Sequence, residues 1–222
     1  MERQKNILSI HKSLMNDNKK VYKFIKTSKH KIIGMTLLSI VELYKASISY
    51  ELNAFIRGDI RDYNIDKEIL NEISVLFSNI IHKSILSSPM RIYRIVFNNY
   101  ANELCSKKNG DIMNNNGFAS WSFDLQRCLE FVGTSDKNVT LMICDLQKNV
   151  PYFYIDGIRP KNTEGWIYQS EILLDKDAKF KIIKRLDPFT YYPLLDRVSK
   201  DDKTLPFNKS VNICLIRVSI IA

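Results

Sequence analysis

The chain predicts an α+β fold, with helices first and a mostly antiparallel β core after them. Three observations carry that prediction. Apolar residues recur at helical spacing before Pro89, short β-branched and aromatic runs follow it, and turn-rich pieces separate those runs. With 222 residues, 45% of them apolar and 26% charged, the composition is that of a globular chain able to bury one core. One domain over residues 1–222 is expected, with a helical front part at 1–88 and a β-rich core at 89–222.

In Ile33–Phe55 the apolar positions Leu37, Val41, Tyr44, Ile48, Leu52 and Phe55 step by four and three, one face of a long helix that Gly58 should stop. Asp66 can cap a second helix whose stripe is Ile69, Ile73, Leu76 and Ile80. Strands are expected at Ile92–Phe97, Phe118–Ser122, Thr140–Asp145, Tyr152–Ile155, Glu171–Leu174, Lys179–Lys184 and Val211–Ile221. A helix-like stretch covers Phe123–Val132, and turns are expected in Lys107–Asn116, Asp156–Gly165 and Ser199–Lys209.

The totals exclude several classes. The longest apolar windows, Ile32–Ile48 and Val211–Ala222, are interrupted or too short to cross a bilayer, and Met1–Asn6 lacks a signal peptide's layout, so a cytoplasmic location and no membrane partner are expected. Cys105, Cys128, Cys144 and Cys214 show no C-x-x-C pairing and read as free thiols, three of them in apolar surroundings. His11, His30 and His82 are scattered, so no metal is expected. The net charge of +9 is diffuse, with local density from Lys19 to Lys31; a solvated lysine-rich face is the preferred reading over a nucleic-acid patch. With seven glycines and no G-x-G-x-x-G or P-loop, a Rossmann or nucleoside-triphosphatase reading fails.

Three segments, in order, carry chemistry. Arg91–Val96 is an apolar strand with an arginine directly after an aromatic, Tyr93-Arg94. Gly117-Phe118-Ala119-Ser120-Trp121-Ser122 is a strand with two serines at period two. Gln169-Ser170-Glu171 precedes an apolar run, and residues two apart on an extended strand share a face, so an amide and a carboxylate are presented together. This order resembles the mono-ADP-ribosyltransferases of the arginine–serine–glutamate class in their Gln-x-Glu variant, and is similar to bacterial ADP-ribosylating exoenzymes. Tyr44, Tyr50 and Leu52–Gly58 look like that family's helical Tyr…Tyr…Asn-x-x-(Leu/Ile)-Arg-Gly segment, and Glu171–Ile183 looks like its strand continuation. The matches span residues 44–183; Trp121 stands where the family commonly has threonine.

The resemblance implies helices packed on a two-sheet β core, with NAD as substrate and no metal. It implies transfer of ADP-ribose to a protein target, with nicotinamide released. Glu171 would stabilise the cationic sugar, Ser120 would hydrogen-bond that carboxylate, and Ser122 would support the geometry. Arg94 would grip the pyrophosphate, as a guanidinium fork suits phosphate; Arg91, three residues earlier on the opposite face, is the competitor. The backbone of Ile95 would meet the nicotinamide carboxamide, and Asn53 and Tyr44 would contact NAD, although Tyr44 on the apolar stripe suits core packing as well. Phe123 and Phe131 both qualify as the aromatic beside nicotinamide, and Trp166 and Tyr168 as aromatics of the turn before Glu171. Gln169 in place of a second carboxylate disfavours an arginine acceptor. An NAD glycohydrolase using the same site, and an inactive binding module of this fold, are the competing readings.

Overall fold

The computed structural model describes residues 2–59, 63–133, 139–158, 170–192 and 210–221. Helices α1 (Glu2–Asp17) and α2 (Lys19–Thr27) open the chain, followed by a two-residue hairpin of β1 (Lys31–Ile32) and β2 (Met35–Thr36). The expected helix at 33–55 therefore begins later, because Ile33 and Gly34 adopt positive φ and turn that hairpin. Thr36 then caps α3 (Leu37–Leu43) by accepting the Ser39 N–H. A π-helical turn at Tyr44–Ile48 interrupts the helix before α4 (Ser49–Arg57), which ends as expected at Gly58 with φ +72°. Asp66 caps α5 (Lys67–Ile81), whose Ile73 and Ile80 are fully buried.

The remaining elements are β3 (Met90–Phe97), α6 (Asn98–Ser106), β4 (Ile112–Asn114), β5 (Ala119–Ser122), α7 (Leu125–Leu129), β6 (Val139–Leu146), β7 (Phe153–Tyr154), β8 (Glu171–Leu174), β9 (Lys179–Tyr191) and β10 (Val211–Ile221). Two differ from expectation in kind. β4 lies inside the stretch read as a turn, and α6 has only Ala101 and Leu104 buried, too few apolar positions to mark a helix.

Eight strands hydrogen-bond in the order β4-β9-β10-β6-β3-β5-β8-β7, all antiparallel except β10 with β6. The ladder is continuous but uneven. β3 pairs with β6 along its whole length, Met90 to Phe97, yet meets β5 at a single pair, Tyr93 with Ser122. Five strands thus form one arm and β5-β8-β7 a second, joined at one rung, which is how the expected two-sheet core is realised. Beyond Tyr93 the arms fork.

The core fills the space between the helices and this sheet. Tyr44, Phe77 and Phe118 form its aromatic centre, with Tyr44–Phe77 centroids 4.6 Å apart. Trp121 faces away from the two serines that flank it and packs on Phe180 at 5.4 Å. Removing one such fully buried apolar side chain from water contributes about 2 kcal/mol. The front helices brace β7: Tyr22 Oη donates to the Tyr154 carbonyl at 2.7 Å, and the Tyr154 N–H donates to Asn18 Oδ1 at 3.1 Å. No helix among the described residues is long and apolar enough to cross a membrane.

Candidate functional site

The fork between β3 and β5 opens a cleft of about 330 Å³. β3 lines it with Tyr93, Arg94, Ile95 and Phe97, β5 with Ser120, Trp121 and Ser122, β8 with Glu171, and the π-helical turn with Tyr44 and Lys45. A larger hollow of about 700 Å³ continues past Arg94, bounded by Tyr50, Arg57, Tyr100 and Asn114–Asn116. Arg94, Ile95 and Phe97 border both spaces. The sequence-selected arginine, serine and glutamate therefore meet, although 77 residues of chain separate Arg94 from Glu171.

Glu171 opens β8 directly opposite Ser122 on β5. Its side chain is 12% exposed, and its Oε2 accepts from Lys45 Nζ at 3.1 Å. Lys45 also pairs with Asp156, whose other oxygen, Oδ2, accepts the Glu171 backbone N–H at 2.8 Å. Asp156 sits in a 3-10 turn, Ile155–Gly157, and its side chain is fully buried. Sequence reasoning missed both partners. Asp156-Gly157 reads as ordinary turn chemistry, and Lys45 follows a stripe tyrosine in a helix whose phase the π turn shifts. Just before Glu171, Ser170 holds a left-handed φ of 55°, uncommon outside glycine, with its hydroxyl buried and its carbonyl accepting the Phe123 N–H at 3.2 Å.

Ser120 is exposed at the cleft, near the Tyr44 hydroxyl; among the described residues it forms no hydrogen bond to Glu171. Ser122 binds the turn instead, its hydroxyl donating to the Asp124 carbonyl at 3.0 Å, where Asp124 caps α7. The Tyr44 ring is core, and its hydroxyl is buried beside Asn53 and Ser120 without a well-formed hydrogen bond. Burial, then the Glu171 charge, push that phenol far above the usual range. Arg94 donates from Nη1 to Asn115 Oδ1 at 2.8 Å and lies 5.8 Å from the centroid of the Tyr100 ring; burial lowers its pKa.

Asn53 does not line the cleft. Its Oδ1 accepts the Phe118 N–H at 2.7 Å and its Nδ2 donates to the Phe118 carbonyl at 3.3 Å, clamping α4 to the entry of β5. Gly117 is needed there, since its φ is +144° and a Cβ would lie 2.8 Å from Asn53 Oδ1. Of the two aromatic candidates, Phe131 lines the cleft, whereas Phe123 is buried against Tyr154 at 5.8 Å. Arg91 is spent on Asp145, its Nε donating to Oδ1 at 2.6 Å. Cys128 also borders the cleft, its thiol pushed up to about 12 by burial. All four cysteines are free; Cys128 and Cys144 are buried, and Cys214 is exposed despite its apolar neighbours in sequence. Among the described residues no His, Cys, Asp and Glu cluster could hold a metal. Gln169, Trp166 and Tyr168 lie outside the described residues.

No protein-family model matches the chain, and no curated protein sequence does. Solved structures match its fold. The ADP-ribosylating toxin BECa of a binary enterotoxin of C. perfringens, determined with NADH, aligns at a TM-score of 0.65 and 15% identity, over 97% of this chain and 48% of its own. Vis toxin from Vibrio splendidus, an ADP-ribosyltransferase, aligns at 0.61 and 14% identity, over 98% and 86%. C3larvin, an ADP-ribosyltransferase toxin from Paenibacillus larvae, aligns at 0.54 and 18% identity, over 92% and 94%. The chain thus spans about half the length of BECa and most of Vis and C3larvin, and its fold is the ADP-ribosyltransferase fold of these bacterial toxins.

Proposed function

We propose that this chain transfers ADP-ribose from NAD to a protein side chain and releases nicotinamide. The observation that carries the reading is the convergence of Arg94, Ser120 and Glu171 on one cleft at the fork of the sheet. The bond between the nicotinamide ring nitrogen and ribose C1′ breaks, its electron pair leaving with neutral nicotinamide and its positive charge passing to the sugar. The acceptor then attacks C1′ and gives up its proton.

Preorganised negative charge beside the sugar favours this cation over the ground state. Glu171 supplies it: Oε2 is held by Lys45, and the second oxygen is left to accept from the ribose 2′-hydroxyl. Arg94, bordering both hollows, suits a pyrophosphate lying between the nicotinamide half in the smaller space and the adenosine half in the larger. Phe131, which lines the cleft, would be the aromatic that flanks nicotinamide, and Ile95, not paired with β5 and with its backbone beside the Cys128 thiol, would meet the carboxamide. An acceptor other than arginine fits the neutral Gln169.

The test is incubation with labelled NAD and a cell lysate. Label on protein supports transfer, free ADP-ribose alone supports a glycohydrolase, and intact NAD would leave a binding module. Glu171→Gln should lower nicotinamide release by about a thousandfold while thermal stability holds; near-native release would refute its catalytic role.

A further inference from the structure

Two thiols that line neither hollow meet across the sheet. Cys105 sits half-buried in the last turn of α6, and its Sγ lies 3.4 Å from the Thr140 hydroxyl on β6. Thr140 is fully buried, and its register partner on β10 is Cys214. Residues side by side in a ladder share a face, so Cys214 points to the side of the sheet that α6 covers. Alternation agrees: Ile216 and Val218 on β10 pack in one cluster with Ala101 and Leu104 of α6. A side-chain hydrogen bond joins the two thiols, and Cys214 is exposed. We propose that Cys105 and Cys214 form a reversible modification site, which a small-molecule disulfide closes into an internal disulfide stapling the end of α6 to β10.

Closure needs contact, access for the oxidant and a thiolate. Thr140 gives the contact, since it touches one cysteine and pairs with the other. Cys214 gives the access. The thiolate is the harder requirement, because the carbonyls at a helix C-terminus disfavour negative charge. Arg185 answers them from β9, donating from Nη2 to the carbonyls of Leu104, Cys105 and Lys107. Burial and then the neighbouring Cys105 raise the Cys214 thiol, while the Arg185 charge pulls it back. The net direction is upward, which slows the first attack without preventing it.

The exchange runs in two steps. The Cys214 thiolate attacks one sulfur of the small disulfide, whose S–S bond breaks, and one half departs as a thiolate that takes up a proton. The Cys105 thiolate then attacks the Cys214 sulfur of the mixed disulfide, and the second half departs in the same way. Two cysteines are oxidised, and one small disulfide is reduced to two thiols. The staple fixes a wall of the larger hollow, since Tyr100 and Glu103 on α6 and Lys107 at its end all border that space. It closes a loop of about 100 residues, so the melting midpoint should rise by about 5 °C or more.

The test treats the folded native chain, Cys105→Ser and Cys214→Ser with oxidised glutathione, then unfolds and alkylates them. Intact mass, peptide mapping and melting curves are read. The native chain should lose two of its four free thiols, keep no glutathione and yield a linked peptide pair containing Cys105 and Cys214. Its midpoint should rise, and dithiothreitol should reverse every change. Cys105→Ser should stop at a glutathione adduct on Cys214, with no gain in midpoint. Four thiols still open to alkylation, a lasting adduct on the native chain, a dimer joined through Cys214, or closure without a higher midpoint would each overturn the proposal. If Cys105→Ser does not fold, Cys214→Ser decides: loss of the linked pair and of the midpoint gain supports the staple, and persistence of either refutes it. These readouts are thiols and melting, so their failure leaves the transfer reading untouched.

Discussion

A guanidinium and an ammonium carry the same charge, but only the first offers two parallel donors to a phosphate. The proposed pyrophosphate grip asks such a fork of Arg94, which is braced by Asn115 and the Tyr100 face while it borders both hollows. Arg94→Lys should raise KM for NAD about tenfold or more with a smaller effect on kcat; an unchanged KM in steady-state nicotinamide release would remove the pyrophosphate role. At this scale the sequence was most legible where a residue type is tied to a strand motif. Arg94, Ser120 and Glu171 stand at the cleft because alternation along β3, β5 and β8 fixes their faces. Asn53 was legible as a special residue but not for its hydrogen bonds, which bind the Phe118 backbone. The Lys45–Asp156 contact was illegible, because 111 residues separate its members and only packing brings them together.

At the scale of elements, legibility follows burial. β8 was bounded to the residue because Glu171–Leu174 are all buried and Ile172–Leu174 read as one apolar run. β9 was expected to stop at Lys184, where exposed polar residues break the alternation, yet it continues to Tyr191. Its ladder with β10 skips between the pairs Ile213–Phe189 and Leu215–Leu186, and that irregularity accommodates Pro188 in a strand whose other edge pairs with β4 only at Lys179–Lys181. The π turn was invisible, since its five residues keep an apolar appearance while changing the helix phase. Gly117 makes the matching prediction. Gly117→Ala forces a Cβ toward Asn53 at a φ that side chains avoid, which should cost about 1–3 kcal/mol. A melting curve should fall by several degrees, and an unchanged midpoint would contradict the clamp between α4 and β5.

Across the whole molecule, the five-strand arm is cross-stapled by Asp145. Its carboxylate takes Arg91 from β3 on one side and Arg217 from β10 on the other, all three partly exposed. The Arg91 hydrogen bond, opposed by burial and helped by Arg217, holds the Asp145 carboxyl below the usual carboxylate range. A depressed folded pKa means the stabilisation is full above the ordinary value of about 4 and fades as pH falls through the folded one. Asp145→Asn should therefore melt below the native chain at pH 7, with the gap closing as the solution is acidified; a gap independent of pH would exclude the ionic contribution. The α+β order and most strands were readable from periodicity, whereas the uneven joining of the two arms depends on which strands fall side by side.

The single rung between Tyr93 and Ser122 has one more consequence. Most sheets keep their unsatisfied amides at an outer rim, where a stranger's strand can dock and seed aggregation. Here the stretch of β3 beyond Tyr93 that β5 leaves unpaired lies inside the body of the molecule, along the cleft that α7 and the π turn also line, and not at an outer rim. On the proposed reading, a branched ladder turns a hazard of β architecture into a contact for the nicotinamide carboxamide.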